Sequence, residues 1–423
     1  MKNIICTLES RGFIDAVTSE NIQEVTNKPV KVYVGFDPTS DSLHLGNFMG
    51  IMALSWFQKF GHTPIAIVGG ATGMIGDPSG RSAERNLLDS EAIEKNLVGI
   101  ERSLKSILDF SDPKTKPLVL NNHDWYADFN LIDFLRDVGK HFRMGGMLGK
   151  DAVKSRLETA DGMSFTEFSY QLLQSYDFLH LYDKYGVMLQ MGGSDQWGNI
   201  TAGTELVRKM RGEVVYGLTF PLLTRSDGKK FGKSEGGAIW LNADKLSHYD
   251  FYQYLYRIPD KDVIKLLTLL TFLELEEIKE IEMEMQERHY IPHTAQRRLA
   301  EEVTLLVHGK EGLESALSVT QAAKPGAKTL LDLPTFESLA HEIPTKEILL
   351  EEVIGSSILD LLMKTEILPS KSEGRRLLAG GGVYLNNEKV IDEKMKIEKT
   401  HLVGNRFLLL SLGKKKKIVV KVK

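Results

Sequence analysis

Residues 31–47 read KVYVGFDPTSDSLHLGN, and this stretch decides the fold. Lys31–Phe36 is a short apolar run rich in β-branched residues and ending near glycine, as a strand buried on both faces does. Pro38 fixes its φ and ends the strand. Asn47–Phe60 then sets Phe48, Met52, Trp56 and Phe60 four apart, on one face of a helix. The same style recurs at Pro64–Gly70, Pro117–Asn121 and Val187–Gly192, with helical patterns between. Strand, helix, strand, with glycines at the strand ends, implies an α/β domain over residues 1–244, built on a doubly wound parallel sheet of Rossmann-like type.

Beyond residue 245 the style changes. Glu274–Glu287 is dense in glutamate, and His293–Val307 carries Leu299, Val303, Leu306 and Val307 on one face. A helical domain is expected over 245–325. Residues 326–354 belong to an irregular, proline-containing stretch read as a linker. Residues 355–423 read as a small α+β unit, with a helical start, glycines at Gly380–Gly382, then short β-like runs.

Composition bounds the function. The 423 residues are 42% hydrophobic and 26% charged, which is globular composition for about two to three domains. The single cysteine, Cys6, excludes a disulfide framework and a cysteine-based zinc site. No apolar run approaches the roughly 20 residues that span a bilayer, and no signal peptide is visible, so a cytoplasmic location is expected. The net charge is −4, yet residues 355–423 hold 15 Lys+Arg against 7 Asp+Glu. A basic tail on an acidic body suits a polyanion partner, or else serves solubility alone.

The stretch DGKKFGKSEGG (Asp227–Gly237) sets positive charge among glycines, as a phosphate-binding loop does. It is not a Walker loop. Gly232-Lys233-Ser234 requires a glycine at 227, where Asp227 stands, and no helix follows. The dinucleotide fingerprint fails as well, because Ala71 occupies a required glycine position. His44 stands at a helix entrance beside Gly46, where backbone N–H groups bind anions and a flat ring can approach the main chain. In QMGGSDQWGN (Gln190–Asn199), Gly192 and Gly193 open space, Asp195 can accept from ribose hydroxyls, and Gln196 is a neutral donor.

Taken together, three strand-end loops and one basic loop resemble the signature of the class I aminoacyl-tRNA synthetases. HLGN stands where that family has HIGH, and KFGKS (Lys230–Ser234) where it has KMSKS. YVGFDPTSDSLHLGN, GDPSGRSAERN, YQLLQSYD, GGSDQWGNITAG and KFGKS are similar, in order and spacing, to the bacterial tyrosine-specific branch. HTAQRRLAEEVT resembles its anticodon-side helical domain, and residues 355–423 resemble an S4 RNA-binding domain. Three departures stand out: Asn47 replaces the last histidine of HIGH, Phe231-Gly232 replaces Met-Ser, and Arg81 stands where lysine is frequent.

The resemblance implies a tyrosine–tRNA ligase that activates L-tyrosine with ATP, releases pyrophosphate and passes the tyrosyl group to the 3′ end of tRNA(Tyr). It implies catalytic roles for His44, Asn47, Arg81, Arg85, Lys230 and Lys233. Tyrosine would meet Tyr33 and Asp177 at its hydroxyl and Asp77, Tyr170 and Gln174 at its ammonium, with Gln190 behind. Tyr170, Gln174 and Asp177 share one helix face by their spacing. ATP would lie against Gly35, Asp37, Thr39, His44, Gly46, Gly192, Asp195, Gln196 and Lys233, carrying Mg²⁺ on its phosphates with no dedicated protein metal site. The connecting segment, about 124–162, would supply a homodimer interface through Phe129, Leu131, Phe134, Leu135, Val138 and Phe142, which could instead pack within one subunit. Lys371, Arg375, Arg376, Lys414 and Lys415 would meet tRNA phosphates. Two other functions fit less well: a tryptophan-charging relative, against which Asp177 argues, and an inactive S4-type RNA-binding protein, against which His44, Lys230 and Lys233 argue.

Overall fold

A computed structural model describes residues 3–79, 90–159, 162–226, 228, 231–234, 237–329, 331–413 and 415–423. They form two compact units, Met1–Asn242 with Ile258–Ala295, and Ala243–Arg257 with Gln296–Lys423. The helical block expected over 245–325 therefore contributes to both.

The first unit is built on six strands: β1 (Ala16–Val17), β2 (Lys31–Phe36), β3 (Thr63–Val68), β4 (Leu118–Asn121), β5 (Val187–Gly193) and β6 (Tyr216–Phe220). Their order is β1-β6-β5-β2-β3-β4. All neighbours run parallel except β1, which lies antiparallel on β6. This is the doubly wound sheet expected from the sequence. Strand order reverses between β2 and β5, so a crevice opens at their carboxyl ends, where sheets of this kind bind ligands.

Helix α1 (Phe48–Lys59) buries every residue from Phe48 to Phe57, so it carries no polar face. Helix α2 (His123–Tyr126) follows the end of β4. Helix α3 (Phe165–Tyr185) starts where Ser164 Oγ accepts the Glu167 amide, at 3.2 Å, and ends at Gly186 in the left-handed region. It packs along α4 (Trp197–Arg211). Tyr33, Ile65, Ile67, Phe178, Val187 and Leu206 form the core between sheet and helices. Phe134 and Val138 are buried in that same core, and Phe129 and Phe142 pack against it. Four of the six apolar residues expected at a subunit interface therefore serve their own subunit; Leu131 and Leu135 remain 68% and 45% exposed.

The second unit holds α5 (His248–Tyr256), α6 (Thr294–Ala322), α7 (Leu333–Glu342), α8 (Ile358–Lys364) and α9 (Lys371–Ala379). Its five-stranded sheet combines Thr345–Ile348, Val383–Leu385, Glu388–Val390, Phe407–Leu412 and Lys416–Val422. The stretch 326–354, expected as a linker, corrects that expectation. Pro334 sits in the first turn of α7, where its missing N–H costs nothing, and Asp332 caps the helix by accepting the Thr335 amide at 3.0 Å. Thr345–Ile348 then adds a parallel edge to Lys416–Val422, pairing Thr345 with Val419.

A buried polar clasp fixes α7. Glu342 Oε1 accepts from Ser315 Oγ at 2.9 Å and meets His248 Nδ1 at 2.8 Å, while Oε2 accepts the Tyr249 amide at 2.9 Å. Burial would raise the Glu342 carboxyl, but these hydrogen bonds hold it at about 2. Burial pushes the neighbouring His308 imidazole down to about 3. The two groups act in the same direction. Unfolded histidine takes up a proton near 6.5 while folded His308 does not, so stability falls as pH drops below 6.5. The Glu342 contribution, complete above 4.5, is lost on the way to 2. Hydrogen exchange of α7 in the full chain, corrected for the chemical rate, should show protection falling from pH 6.5 downward. Glu342→Gln should lower it at neutral pH and flatten its acid limb.

Candidate active site at the strand ends

A cavity of about 350 Å³ opens at the carboxyl ends of β2 and β5. Tyr33, Gly35, Asp37, Thr39, His44, Gly46, Asn47, Asp77, Tyr170, Gln174, Asp177, Gln190, Gly192, Asp195 and Gln196 all line it. Fifteen positions singled out from the sequence, scattered over 164 residues, thus face one space.

Its floor is closed and polar. Tyr33 points from β2, 1% exposed, with its ring edge-on to Phe178 at 5.3 Å. Its hydroxyl is buried without a hydrogen-bond partner, and burial drives the phenol well above its ordinary pKa. Gln190 lies beside Tyr33 in the β2–β5 register, with Oε1 likewise buried and unpartnered. Asp177 projects from α3, where Oδ1 accepts Trp125 Nε1 at 2.9 Å and Oδ2 accepts Asn122 Nδ2 at 3.2 Å. Burial pushes its carboxyl up to about 7, against the pull of those donors. Unpartnered buried polar atoms cost about 1–3 kcal/mol each, so this floor suits a ligand bearing a hydroxyl.

Nearer the mouth, Tyr170 Oη donates to Asp37 Oδ2 at 2.9 Å, and Thr72 Oγ1 donates to Asp37 Oδ1 at 3.0 Å. Burial, with Asp37 and Asp77 beside it, drives the Tyr170 phenol well up. Asp77 Oδ2 accepts from Gln196 Nε2 at 2.6 Å, and Asn199 Nδ2 donates to Gln174 Oε1 at 3.0 Å. Two carboxylates and several oxygens make this wall electronegative, which suits an ammonium group.

The wall opposite is main chain and glycine. His44 Nδ1 accepts the Gly46 amide at 3.0 Å, which assigns the ring proton to Nε2. A Cβ on Gly46 would stand 2.7 Å from His44 Cε1, so a larger residue there must displace the imidazole. Asn47 Oδ1 accepts the His44 amide at 3.1 Å, giving this departure from HIGH a turn-closing function. The basic loop folds back onto the same turn. Gly232 has φ +79°, and a Cβ there would lie 2.7 Å from the Gly46 nitrogen. Lys233–Ser234 pairs with Gly237–Ala238 in a small hairpin. Onward, Leu45 N donates to Ile239 O and Leu241 N to Leu43 O, both at 2.8 Å, around a bridge between His44 and Trp240. The Lys233 backbone is thereby tied to the His44 turn. Arg81, Arg85, Lys230 and the Lys233 side chain lie outside the described residues.

Asn122, Trp125, Thr72 and Asn199 were not singled out from the sequence. Asn122 and Trp125 follow directly on β4, so the rule that strand ends carry function could have found them. In the second unit, Lys371 and Arg375 on α9 pair with Asp360 at 2.5 Å and Glu393 at 3.4 Å. Arg376 lies on the same helix, Lys415 is exposed, and Lys414 lies outside the described residues.

Comparison with known proteins follows the same division. Residues 25–323 match the family model of tRNA synthetases class I (W and Y), and residues 335–420 match that of the SYY-like C-terminal domain of tyrosine–tRNA ligase. The chain is 58% identical to a tyrosine–tRNA ligase of Protochlamydia amoebophila over 422 residues, covering 100% of this chain and 99% of the relative. It is 51% identical to the chloroplastic/mitochondrial tyrosine–tRNA ligase of Arabidopsis thaliana, covering 99% of this chain and 84% of the relative. Among solved structures, a C-terminally truncated mitochondrial tyrosyl-tRNA synthetase of Aspergillus nidulans matches with a TM-score of 0.67 and 34% identity, covering 75% of this chain and 92% of that one.

Proposed function

The chain belongs to the class I tRNA synthetases for tryptophan and tyrosine and catalyses the ligation of tyrosine to tRNA, with ATP as substrate; on that premise we propose which residues carry each part of the reaction. The substrate phenol lies on the cavity floor between Tyr33 and Asp177, with Gln190 behind. Its ammonium meets Asp77, Tyr170 and Gln174. ATP spans the strand ends, against Gly35, Asp37, Thr39 and Gly46 on one side and Gly192, Asp195 and Gln196 on the other. Mg²⁺ would be carried on the ATP phosphates, where it would offset their charge. Among the described residues no group of three or more His, Cys, Asp or Glu side chains is placed to hold a metal.

The tyrosine carboxylate attacks the α-phosphorus, the bond to the bridging oxygen breaks, and pyrophosphate leaves. No protein nucleophile takes part, so catalysis is positioning and stabilisation of charge. His44 donates through Nε2–H to the phosphates, and Lys230, Lys233, Arg81 and Arg85 neutralise the leaving pyrophosphate. Asn47 holds the turn that aims His44. The 3′-terminal hydroxyl of tRNA then attacks the tyrosyl carbonyl and displaces AMP. Lys371, Arg375, Arg376, Lys414 and Lys415 hold tRNA phosphates, contacts that weaken with salt. Leu131 and Leu135, with the exposed Ile132 and Met144, support a homodimer. Among the described residues no helix is long and apolar enough to cross a membrane; we assign the reaction to the cytoplasm, with the tRNA pool.

One observation carries the assignment of the pocket: the Tyr33 hydroxyl, buried and without a partner, in the field of Asp177. Pyrophosphate exchange run with each amino acid tests it. Exchange should require tyrosine; exchange with tryptophan, or an undiminished response to phenylalanine, would contradict it. The free enzyme holds Asp177 near 7, and a donating phenol favours the ionised carboxylate. Tyrosine binding should therefore tighten as pH rises through 7 and weaken by about tenfold per unit below it. Calorimetric titration at pH 6, 7 and 8 reads this, and Asp177→Asn should give a flat profile.

A further inference from the structure

We propose that His180 is a positioning residue for tyrosine selection, acting through Trp125 on Asp177; this rests on the reading of Asp177 as the phenol partner. His180 lies three residues beyond Asp177 on α3. Its imidazole stacks on the Trp125 indole, with ring centroids 4.5 Å apart and planes at 15°. That indole spends its one N–H on Asp177 Oδ1, at 2.9 Å. Trp125 sits on α2, a helix of four residues whose N-cap makes no side-chain hydrogen bond. So short an element cannot fix the direction of a large side chain by its own backbone bonds. Packing on the indole face must do so.

Only the flat face of His180 is used in this contact. Its Nε2 is buried without a hydrogen-bond partner, so no polar contact by that atom accounts for its place. Burial, with Lys184 adding to it, also holds the imidazole below its ordinary pKa, which keeps the stacked ring neutral near pH 7. Stacking of this kind confines the indole to the plane in which Nε1 meets the carboxylate. Without it the indole turns, Asp177 loses the Trp125 donor, and the ionised form that receives the phenol becomes less populated. Phenylalanine brings no hydroxyl to Asp177, so its use is little changed. His180 therefore raises the preference for tyrosine without touching either substrate.

The test is pyrophosphate exchange with tyrosine and with phenylalanine for His180→Ala, His180→Phe, Trp125→Phe and the double variant His180→Ala/Trp125→Phe, with Asp177→Asn as reference. His180→Ala should raise KM for tyrosine by about tenfold, leave KM for ATP unchanged and lower the tyrosine:phenylalanine ratio to match. Trp125→Phe should do the same, His180→Phe should stay within about twofold of the parent because it keeps a flat ring, and the double variant should be no worse than Trp125→Phe alone. His180→Leu, which fills the volume without a flat face, replaces alanine if that variant is unstable. The proposal is overturned if Trp125→Phe lowers the ratio and His180→Ala does not, if His180→Phe falls as far as alanine, or if the two effects add in full. If Asp177→Asn and Trp125→Phe both leave the ratio intact, the pocket assignment itself fails and the role of His180 goes with it.

Discussion

Asp177→Asn is expected to lower kcat/KM for tyrosine by roughly 10–10² while changing that for phenylalanine by no more than a few-fold. The carboxylate has two oxygens, and both are engaged: Oδ1 by Trp125 and Oδ2 by Asn122. An amide of the same shape has one acceptor and one NH₂. Whichever way it turns, a donor meets a donor, and one buried N–H goes unpaired. That costs about 1–3 kcal/mol in the free enzyme, the same whichever amino acid then binds. The substrate hydroxyl also loses a charged acceptor, worth about 1.5–3 kcal/mol. At 1.4 kcal/mol per factor of ten, this second loss alone gives the stated range. Phenylalanine never made the second contact, so the loss falls on tyrosine. Equal losses for both amino acids would mean that Asp177 supports the fold and not the choice of substrate.

His44→Ala is expected to slow adenylate formation by about 10²–10³, the effect of removing one preorganised donor from a site of developing charge. Tyrosine affinity should stay within about twofold, because the phenol floor is built from β2, β5 and α3 and not from the His44 turn. The imidazole is held by the Gly46 amide on Nδ1, so alanine also releases that amide. His44→Asn can satisfy Gly46 through its oxygen while presenting an NH₂, and should recover about a tenth of the parent rate. Pre-steady-state measurement of adenylate formation separates the two effects from tyrosine binding. A slowed rate with tyrosine affinity lost in proportion would remove His44 from the phosphates.

The sequence made β2, the His44 turn and the α3 face legible because each depends on neighbours within a few positions. Pro38 ends its strand locally, and Tyr170, Gln174 and Asp177 align by helical period alone. What escaped depends on distant pairing. Asn122 and Trp125 reach Asp177 across 55 and 52 residues, from a strand end bearing no motif. The strand Thr345–Ile348 exists only because Val419–Val422 lies beside it. Proline marks 326–354 as irregular in the sequence, yet Pro334 stands in the first turn of a helix, where proline is favoured. The apolar residues of the connecting segment have the same composition whether they face the core or a partner. Pattern alone could not separate Phe134, which is buried, from Leu131, which is 68% exposed.

The account rests on a phenol held at the floor of one cavity while a nucleotide lies across the strand ends above it. A crystal structure with a non-hydrolysable tyrosyl-adenylate tests that most directly. The phenol oxygen should lie about 2.6–3.2 Å from both Tyr33 Oη and an Asp177 oxygen, with the adenylate moiety between the His44 turn and Gly192–Asp195. A phenol directed away from Asp177, or an adenine occupying the floor beside Tyr33, would contradict it.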